Sequence, residues 1–279
     1  MALAQQDRPV AARPPAPSRL RAAGRRYAAV AAALGLLALW ELVAWVLVAR
    51  GTPLATSKLP YPHAVAARII DEAPLLLDAL WVTARGALIG LLFGLVLGVA
   101  VSLLLAQSRL LEAAFYPYVI GGQMLPTIAL APLLLAALQN ATATRILVAT
   151  YITFFAITLG TLKGLKSVQP EANELMRSYN VSRRQLYWKL RLPASLPFLF
   201  AGVKVAAPLA VVGEIVVELT GSTSGLGYLI LSTQYYGPQY ATLFWAAMLI
   251  TLALGFVFYR AVVLIERIVS PWQHEFRTR

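Results

Sequence analysis

The chain has 279 residues, 59% of them hydrophobic and only 13% charged, with a mean hydropathy of +0.69; soluble domains carry about 25% charge, so an ordinary soluble fold is excluded. Twenty-four Lys and Arg against twelve Asp and Glu leave a net charge of +12, but the basic residues border apolar runs and read as membrane topology, not as a nucleic-acid surface. There is no cysteine, and His63 and His274 are the only two histidines. Disulfides, thiolate metal sites and catalytic thiols are therefore excluded, and no metal or other cofactor is expected.

Crossing a bilayer as a helix takes about 20 apolar residues. Six stretches qualify: Tyr27 to Ala49, Ala79 to Ala106, Pro117 to Leu138, Ile146 to Leu162, Phe198 to Leu219 and Tyr240 to Ile265. The expectation is an all-α membrane protein of six transmembrane helices. Residues 1–26, rich in Ala, Pro and Arg, lack apolar periodicity and read as a disordered basic tail on the membrane surface, ahead of a permease-like body over 27–279. The first apolar run is too long for a signal peptide and reads as an uncleaved helix.

Span two carries Gly86, Gly90, Gly94 and Gly98 at a strict four-residue spacing, a smooth stripe that admits close approach of another helix, either as static packing or as a mobile interface. Span three contains Pro126 and Pro132, which should kink it; such broken helices are tolerated where protein or a water-filled cavity re-satisfies the backbone, so the span reads as a pathway helix.

Basic residues set the orientation. The N-terminal tail, the segment between spans four and five (Lys163, Lys166, Arg177, Arg183, Arg184, Lys189, Arg191) and the C-terminal tail (Arg267, Arg277, Arg279) all fall on one side of a six-span chain. On the other side Arg50, Lys58 and Arg68 are balanced by Asp71, Glu72 and Asp78, and two further loops are read as uncharged. Both termini are thus expected in the cytoplasm.

The segment from about 163 to 197 is too regular for a connector. Pro170 to Tyr179 places Leu175, Met176 and Tyr179 on one helical face; Ser182-Arg-Arg-Gln185 is a capping box opening a second helix with Leu186, Tyr187 and Leu190 on its apolar face. Asn180 falls where the chain reverses. A basic, apolar hairpin of this kind either lies on anionic membrane lipid or docks a cytoplasmic partner.

The run from Glu174 to Pro193 resembles the EAA signature of permease subunits of ATP-binding cassette (ABC) importers: Glu174, then a turn residue at 180, an aliphatic residue at Leu190 and the pair Leu192-Pro193. Two positions depart. Leu175-Met176 replace a small pair, and Asn180 replaces glycine, though Asn is the residue that best tolerates the left-handed turn glycine supplies. Thr83, Arg85 and the glycine stripe, Leu125-Pro-Thr-Ile-Ala-Leu-Ala-Pro132, Ala201-Gly-Val-Lys204 and Gly221-Ser-Thr-Ser-Gly-Leu-Gly-Tyr-Leu-Ile230 follow the order of the permeases that serve nitrate, sulfonate, taurine and thiamine-pyrimidine-precursor importers. Leu175-Met-Arg-Ser-Tyr179 is most similar to the pyrimidine-precursor branch, whereas the Trp-Phe-Gly common after the span-three proline is absent at Ala136-Ala137-Leu138.

The resemblance implies a type I importer-like transmembrane domain in a bacterial plasma (inner) membrane. It implies a homodimer of permeases working with two copies of an ATPase subunit and an extracytoplasmic substrate-binding protein, with membrane lipids around it and no nucleic acid. Glu174, Tyr179, Asn180, Ser182, Leu190, Leu192 and Pro193 would form the ATPase-coupling loop. The chain itself is expected to be no enzyme: Gly160-Thr-Leu-Lys-Gly-Leu-Lys-Ser167 fails the P-loop spacing.

Ionisable residues at membrane depth are candidates for function. Glu214 and Glu218 share a face near the outer end of span five, immediately before Gly221, Ser222, Thr223 and Ser224. Together these six are the candidate substrate pathway; the plainer reading has both carboxylates bonded to backbone or hydroxyl groups beside the loop. Glu41 beside Trp40 suits helix packing, and Arg85 and Lys204 are near enough to span ends to snorkel. An intramembrane enzyme built on the two carboxylates, and a secondary transporter or channel independent of ATP, are the alternatives; no convincing internal repeat supports the latter.

Overall fold

The computed structural model describes residues 19–271. Every regular element among them is helical: α1 (Arg19–Ala49), α2 (Ala55–Lys58), α3 (Pro62–Asp71), α4 (Ala73–Leu105), α5 (Arg109–Gly122), α6 (Thr127–Leu138), α7 (Ala141–Lys166), α8 (Pro170–Ser178), α9 (Arg183–Leu186), α10 (Leu192–Gly221), α11 (Leu226–Tyr235) and α12 (Ala241–Val269). A π-turn at Tyr187–Arg191 joins α9 to α10, and a 3-10 turn at Pro238–Tyr240 precedes α12. Five spans are long and apolar enough to cross a membrane, and α5 with α6 supplies a sixth if the bent pair is counted as one. Of the basic tail read over 1–26, residues 19–26 continue α1 backwards and the rest lie outside the described residues.

Two compact units divide after Pro62. In the first, the indole N–H of Trp40 donates to the Pro60 carbonyl at 3.0 Å and ties the turns after α1 back to that helix.

In the second unit α7 is the central helix, packed along α4 on one side and α10 on the other. Small residues allow both approaches. A side chain at Gly90, Gly94 or Gly98 would collide with Ala149, Thr153 or Ile157 of α7, so the stripe on α4 meets a matching four-residue ladder on its neighbour. On the other face, Gly160 and Gly202 let α7 and α10 approach backbone to backbone. The stripe from Gly90 to Gly98 is thus a seam inside the chain. Close contact also lets polar groups pair across it: Ser102 Oγ lies 3.0 Å from the Thr158 carbonyl, the kind of bond that binds helices where no water competes. Outward faces of α4 and α12 expose Leu92, Phe93, Val96, Leu252 and Phe256, as lipid contact requires.

Two expectations are corrected. Span three is two helices at 94° rather than one kinked helix. Gly121-Gly122 ends α5 and Pro126, without an N–H, stands as the cap of α6, so the ladder stops within a few residues. The freed Gly122 carbonyl accepts from the Tyr151 hydroxyl of α7, and Phe155 packs over Gly122. Likewise the second loop helix is not separate from span five: the apolar helical run is continuous over Arg184–Gly221. Pro193 would meet the carbonyl four residues back in a regular helix, and the π-turn lies directly upstream of it, where widening relieves that clash.

Candidate functional site

The hairpin α8–α9 is built by local chemistry. Pro170 occupies the first turn of α8, where a missing N–H costs nothing. Its end is a Schellman closure: the Asn180 N–H donates to the Arg177 carbonyl at 2.8 Å and the Val181 N–H to Met176 at 3.4 Å. Asn180 takes φ +51°, the left-handed conformation that glycine adopts at lowest cost. The capping box then forms, with the Ser182 N–H donating to Gln185 Oε1 at 2.9 Å and the Gln185 N–H to Ser182 Oγ at 3.3 Å. Around this turn Glu174, Leu175 and Tyr179 are exposed, Tyr179 at 72%. Leu190, Leu192 and Pro193 are half-buried where the hairpin runs into α10.

Tyr187 fastens the hairpin to the bundle. Its hydroxyl donates to the Ala106 carbonyl at the C-terminal end of α4, at 2.8 Å. Arg191 stacks 4.9 Å over the same ring and donates to the hydroxyl at 3.2 Å. The hairpin is thereby bonded to α4 directly and continues into α10 through the π-turn.

At the opposite end, α4, α7 and α10 enclose a charge cluster. Glu214 and Glu218 are fully buried and Arg145 nearly so. Arg145 NH1 lies 3.5 Å from Glu218 Oε1, and its Nε 3.9 Å from Glu214 Oε2. Glu218 also accepts from the Thr83 hydroxyl at 2.8 Å and from the Gly227 N–H at 2.8 Å, while Thr83 Oγ1 accepts from the Leu226 N–H at 2.9 Å. The first two backbone donors of α11, which its own N-cap Gly225 leaves without a side-chain partner, are satisfied by a carboxylate from α10 and a hydroxyl from α4. Glu214 is different: it sits against Gly86, and neither oxygen has a hydrogen-bond partner among the described residues. A pocket of about 190 Å³ between α4 and α7, lined by Arg85, Gly86, Thr142 and Arg145, opens beside it.

The sequence-predicted pathway residues divide accordingly. Glu214 and Glu218 come together within the bundle. Gly221 ends α10, and Ser222 to Ser224 form a short bend in which Ser222 Oγ bonds the Ser224 backbone, with Thr223 exposed and Gly225 at φ +102°. Arg145 was missed: the loop counted as uncharged ends in it. Its signal was a lone arginine at the start of an apolar run in a chain with two carboxylates one turn apart in another. α11 was also missed, since Leu226 to Tyr235 is far too short to span. Lys204 does not snorkel free; it pairs with Glu266 of α12 at 3.0 Å.

A family described as the binding-protein-dependent transport system inner membrane component matches residues 90–271. The chain belongs to this family. It is 35% identical over 243 residues, 86% of its length and 93% of the relative's, to the formylaminopyrimidine transport permease protein ThiX of Halalkalibacterium halodurans. A putative aliphatic sulfonates transport permease protein, SsuC of Bacillus subtilis, is 25% identical over 86% of each chain. The nitrate import permease protein NrtB of Synechocystis is 24% identical over 63% of each. In fold, the permease superposes on a chain of the inward-facing MetNI methionine ABC transporter with a TM-score of 0.62, at 20% identity, covering 71% of this chain and 98% of that one. It is the transmembrane permease subunit of an ABC importer, a multi-pass inner-membrane protein that works with an ATPase subunit and a binding protein and performs no covalent chemistry itself.

Proposed function

We propose that this permease acts as a homodimer with two ATPase subunits, with both termini and the α8–α9 hairpin in the cytoplasm and the Arg145 cluster at the outer face. The distribution of Lys and Arg supports this orientation. So does length: Arg145 and Lys166, at the two ends of α7, stand roughly 30 Å apart at about 1.5 Å per residue, the thickness of the hydrocarbon core. One chain supplies a single hairpin, and a machine with two ATPases needs two.

The observation that carries the coupling role is the hairpin tip. Asn180, held left-handed between a Schellman closure and a capping box, is a rigid turn, and it presents Leu175 and Tyr179 uncovered. Exposed apolar side chains on a preformed turn are what a groove on a partner takes up at low entropic cost. Glu174, Ser182, Leu190, Leu192 and Pro193 set the shape of that turn and its junction with α10. Closure of the ATPase pair on nucleotide would pull α8–α9, and through Tyr187 and the π-turn would move α4 and α10.

The transported solute is small and polar, delivered by the extracytoplasmic binding protein. Relatives named for formylaminopyrimidine, sulfonates and nitrate support that range, and a thiamine pyrimidine precursor is the favoured member because of the 35% relative. Glu214, Glu218 and the Gly221 to Ser224 bend stand where it would enter. The chain has no cysteine, so single cysteines at 178 to 182 give clean crosslinking. Joining to the ATPase from these positions, and from none in α12, is expected; absence of any such product alongside intact ATP-driven uptake would sink the coupling assignment.

A further inference from the structure

The cytoplasmic end, as oriented above, holds a second feature beside the coupling joint. Between the C-terminal end of α4 and the hairpin lies a cavity of about 740 Å³ with two contrasting parts. Arg177, Arg184 and Arg191 line it from α8, α9 and the π-turn, and no carboxylate does among the described residues. Of the three, Arg191 is held by the Tyr187 ring and hydroxyl; Arg177 and Arg184 are exposed and have no ion-pair partner among the described residues. Apart from Gln107 and the Tyr187 ring, the remaining lining is apolar and includes Leu103 of α4 with Leu186 and Leu192. Leu103 stands two residues before the end of α4, at the edge of the hydrocarbon, and Trp188, exposed at 65%, lines the same cavity as interfacial tryptophans do.

We propose that this cavity binds one anionic phospholipid of the inner leaflet, its phosphate among the three guanidiniums and an acyl chain along Leu103, Leu186 and Leu192. Three like charges held around one space without a counter-charge call for an anion, and guanidinium groups match phosphate oxygens in paired hydrogen bonds. A soluble anion would leave the leucine floor wet, whereas a phospholipid covers both parts at once. Basic pockets between membrane helices on the cytoplasmic side recruit such headgroups by the same physics. The lipid would bridge α4 to the hairpin beside the Tyr187–Ala106 bond, so the acidity of the membrane would tune the coupling joint.

The test is native mass spectrometry of the whole importer, permease with its ATPase, purified in mild detergent and titrated with phosphatidylglycerol or phosphatidylcholine. Retention of one phosphatidylglycerol per permease chain is expected, and phosphatidylcholine should not replace it. The double substitution Arg177→Gln with Arg184→Gln should weaken retention by about thirtyfold, the effect of two cations at a membrane surface. Arg177→Lys with Arg184→Lys, which keeps the charge but not the paired hydrogen bonds, should restore only part of it, and Lys189→Gln, outside the cavity, should leave it unchanged. Equal retention of the two lipids, indifference to the double Gln substitution, or displacement of the lipid by millimolar inorganic phosphate would overturn the proposal. So would loss of the ATPase from the double variant with lipid retention intact, which would assign these arginines to the partner. The orientation on which the site rests is read separately, by membrane-impermeant labelling of Ser182→Cys: labelling from outside would refute the topology, while phosphatidylglycerol counts would still decide the lipid site.

Discussion

Glu218, one turn before the end of α10, accepts the backbone N–H of Gly227 at 2.8 Å and so caps a helix that lies beyond the intervening bend. The same carboxylate takes the Thr83 hydroxyl from α4 and faces Arg145 from α7, so three spans and α11 meet at one side chain. Space is made for it by Gly225 and Gly227, where any β-carbon would strike the carboxylate or its stem.

Glu218→Ala is therefore expected to cost about 3–5 kcal/mol, the usual effect of removing one partner from a buried, hydrogen-bonded ion pair. Glu218→Gln keeps an acceptor for Gly227 or Thr83 and should cost less. The fluorescence of the six tryptophans during thermal unfolding in detergent measures both; equal melting temperatures for wild type and Glu218→Ala would show that the cap carries no load.

Arg145 faces two buried carboxylates, 3.5 Å from Glu218 and 3.9 Å from Glu214. Arg145→Met should destabilise by about 3–5 kcal/mol, because it leaves Glu214 and Glu218 buried together without a cation. Adding Glu214→Gln and Glu218→Gln to that variant should recover more than half of the loss, since a neutral, hydrogen-bonded cluster of the same shape removes the unpaired charge. Failure of the triple variant to improve on Arg145→Met would mean that the arginine acts through its packing rather than its charge.

How much of this was visible beforehand follows from the range of the interactions. The hairpin was legible because its determinants are local: Pro170, Asn180, Ser182 and Gln185 act within four residues of where they stand, and each acts as its type dictates. Span count and the glycine ladder were legible because lipid and close packing impose simple periods. The right angle between α5 and α6 was not, since Pro126 signals a break but not its angle, and the angle is fixed by Tyr151 and Phe155 of a different helix. The partners of Glu218 were equally hidden, lying 73 positions away at Arg145 and 135 at Thr83. Sequence named the two carboxylates as unusual; only the fold supplied the cation between them.

Gly94 offers a test of the seam between α4 and α7. A β-carbon there would run into Thr153, whose hydroxyl already bonds its own helix at the Ala149 carbonyl, at 2.8 Å. Gly94→Ala should cost about 1–3 kcal/mol through overpacking, and Gly94→Leu more, to the point of losing assembled protein. Gly35→Ala, where a β-carbon meets nothing within 4 Å, should be neutral or slightly stabilising. Comparing yields of monodisperse protein after size-exclusion chromatography checks this; equal yields for Gly94→Leu and wild type would contradict the packed seam.

Asn180 separates the conformation of the coupling turn from its chemistry. At φ +51° a glycine fits without strain, so Asn180→Gly should leave both the amount of ATPase that co-purifies and ATP-driven uptake close to wild type. Asn180→Val puts a β-branched residue in the left-handed region at a cost of about 1–2 kcal/mol, and the Schellman bonds to Arg177 and Met176 should open to relieve it. Because that closure and the capping box around residue 180 join α8 to α9, the tip would then lose the fixed arrangement of Leu175 and Tyr179. The expected result is a stably folded permease, since the turn is exposed and remote from the α4–α7–α10 core, that binds the ATPase about tenfold more weakly for each 1.4 kcal/mol of turn stability lost. Pull-down of the ATPase at graded concentrations reads that shift. If Asn180→Val bound as well as wild type while Asn180→Gly did not, the side-chain amide itself, and not the left-handed turn, would be what the partner recognises.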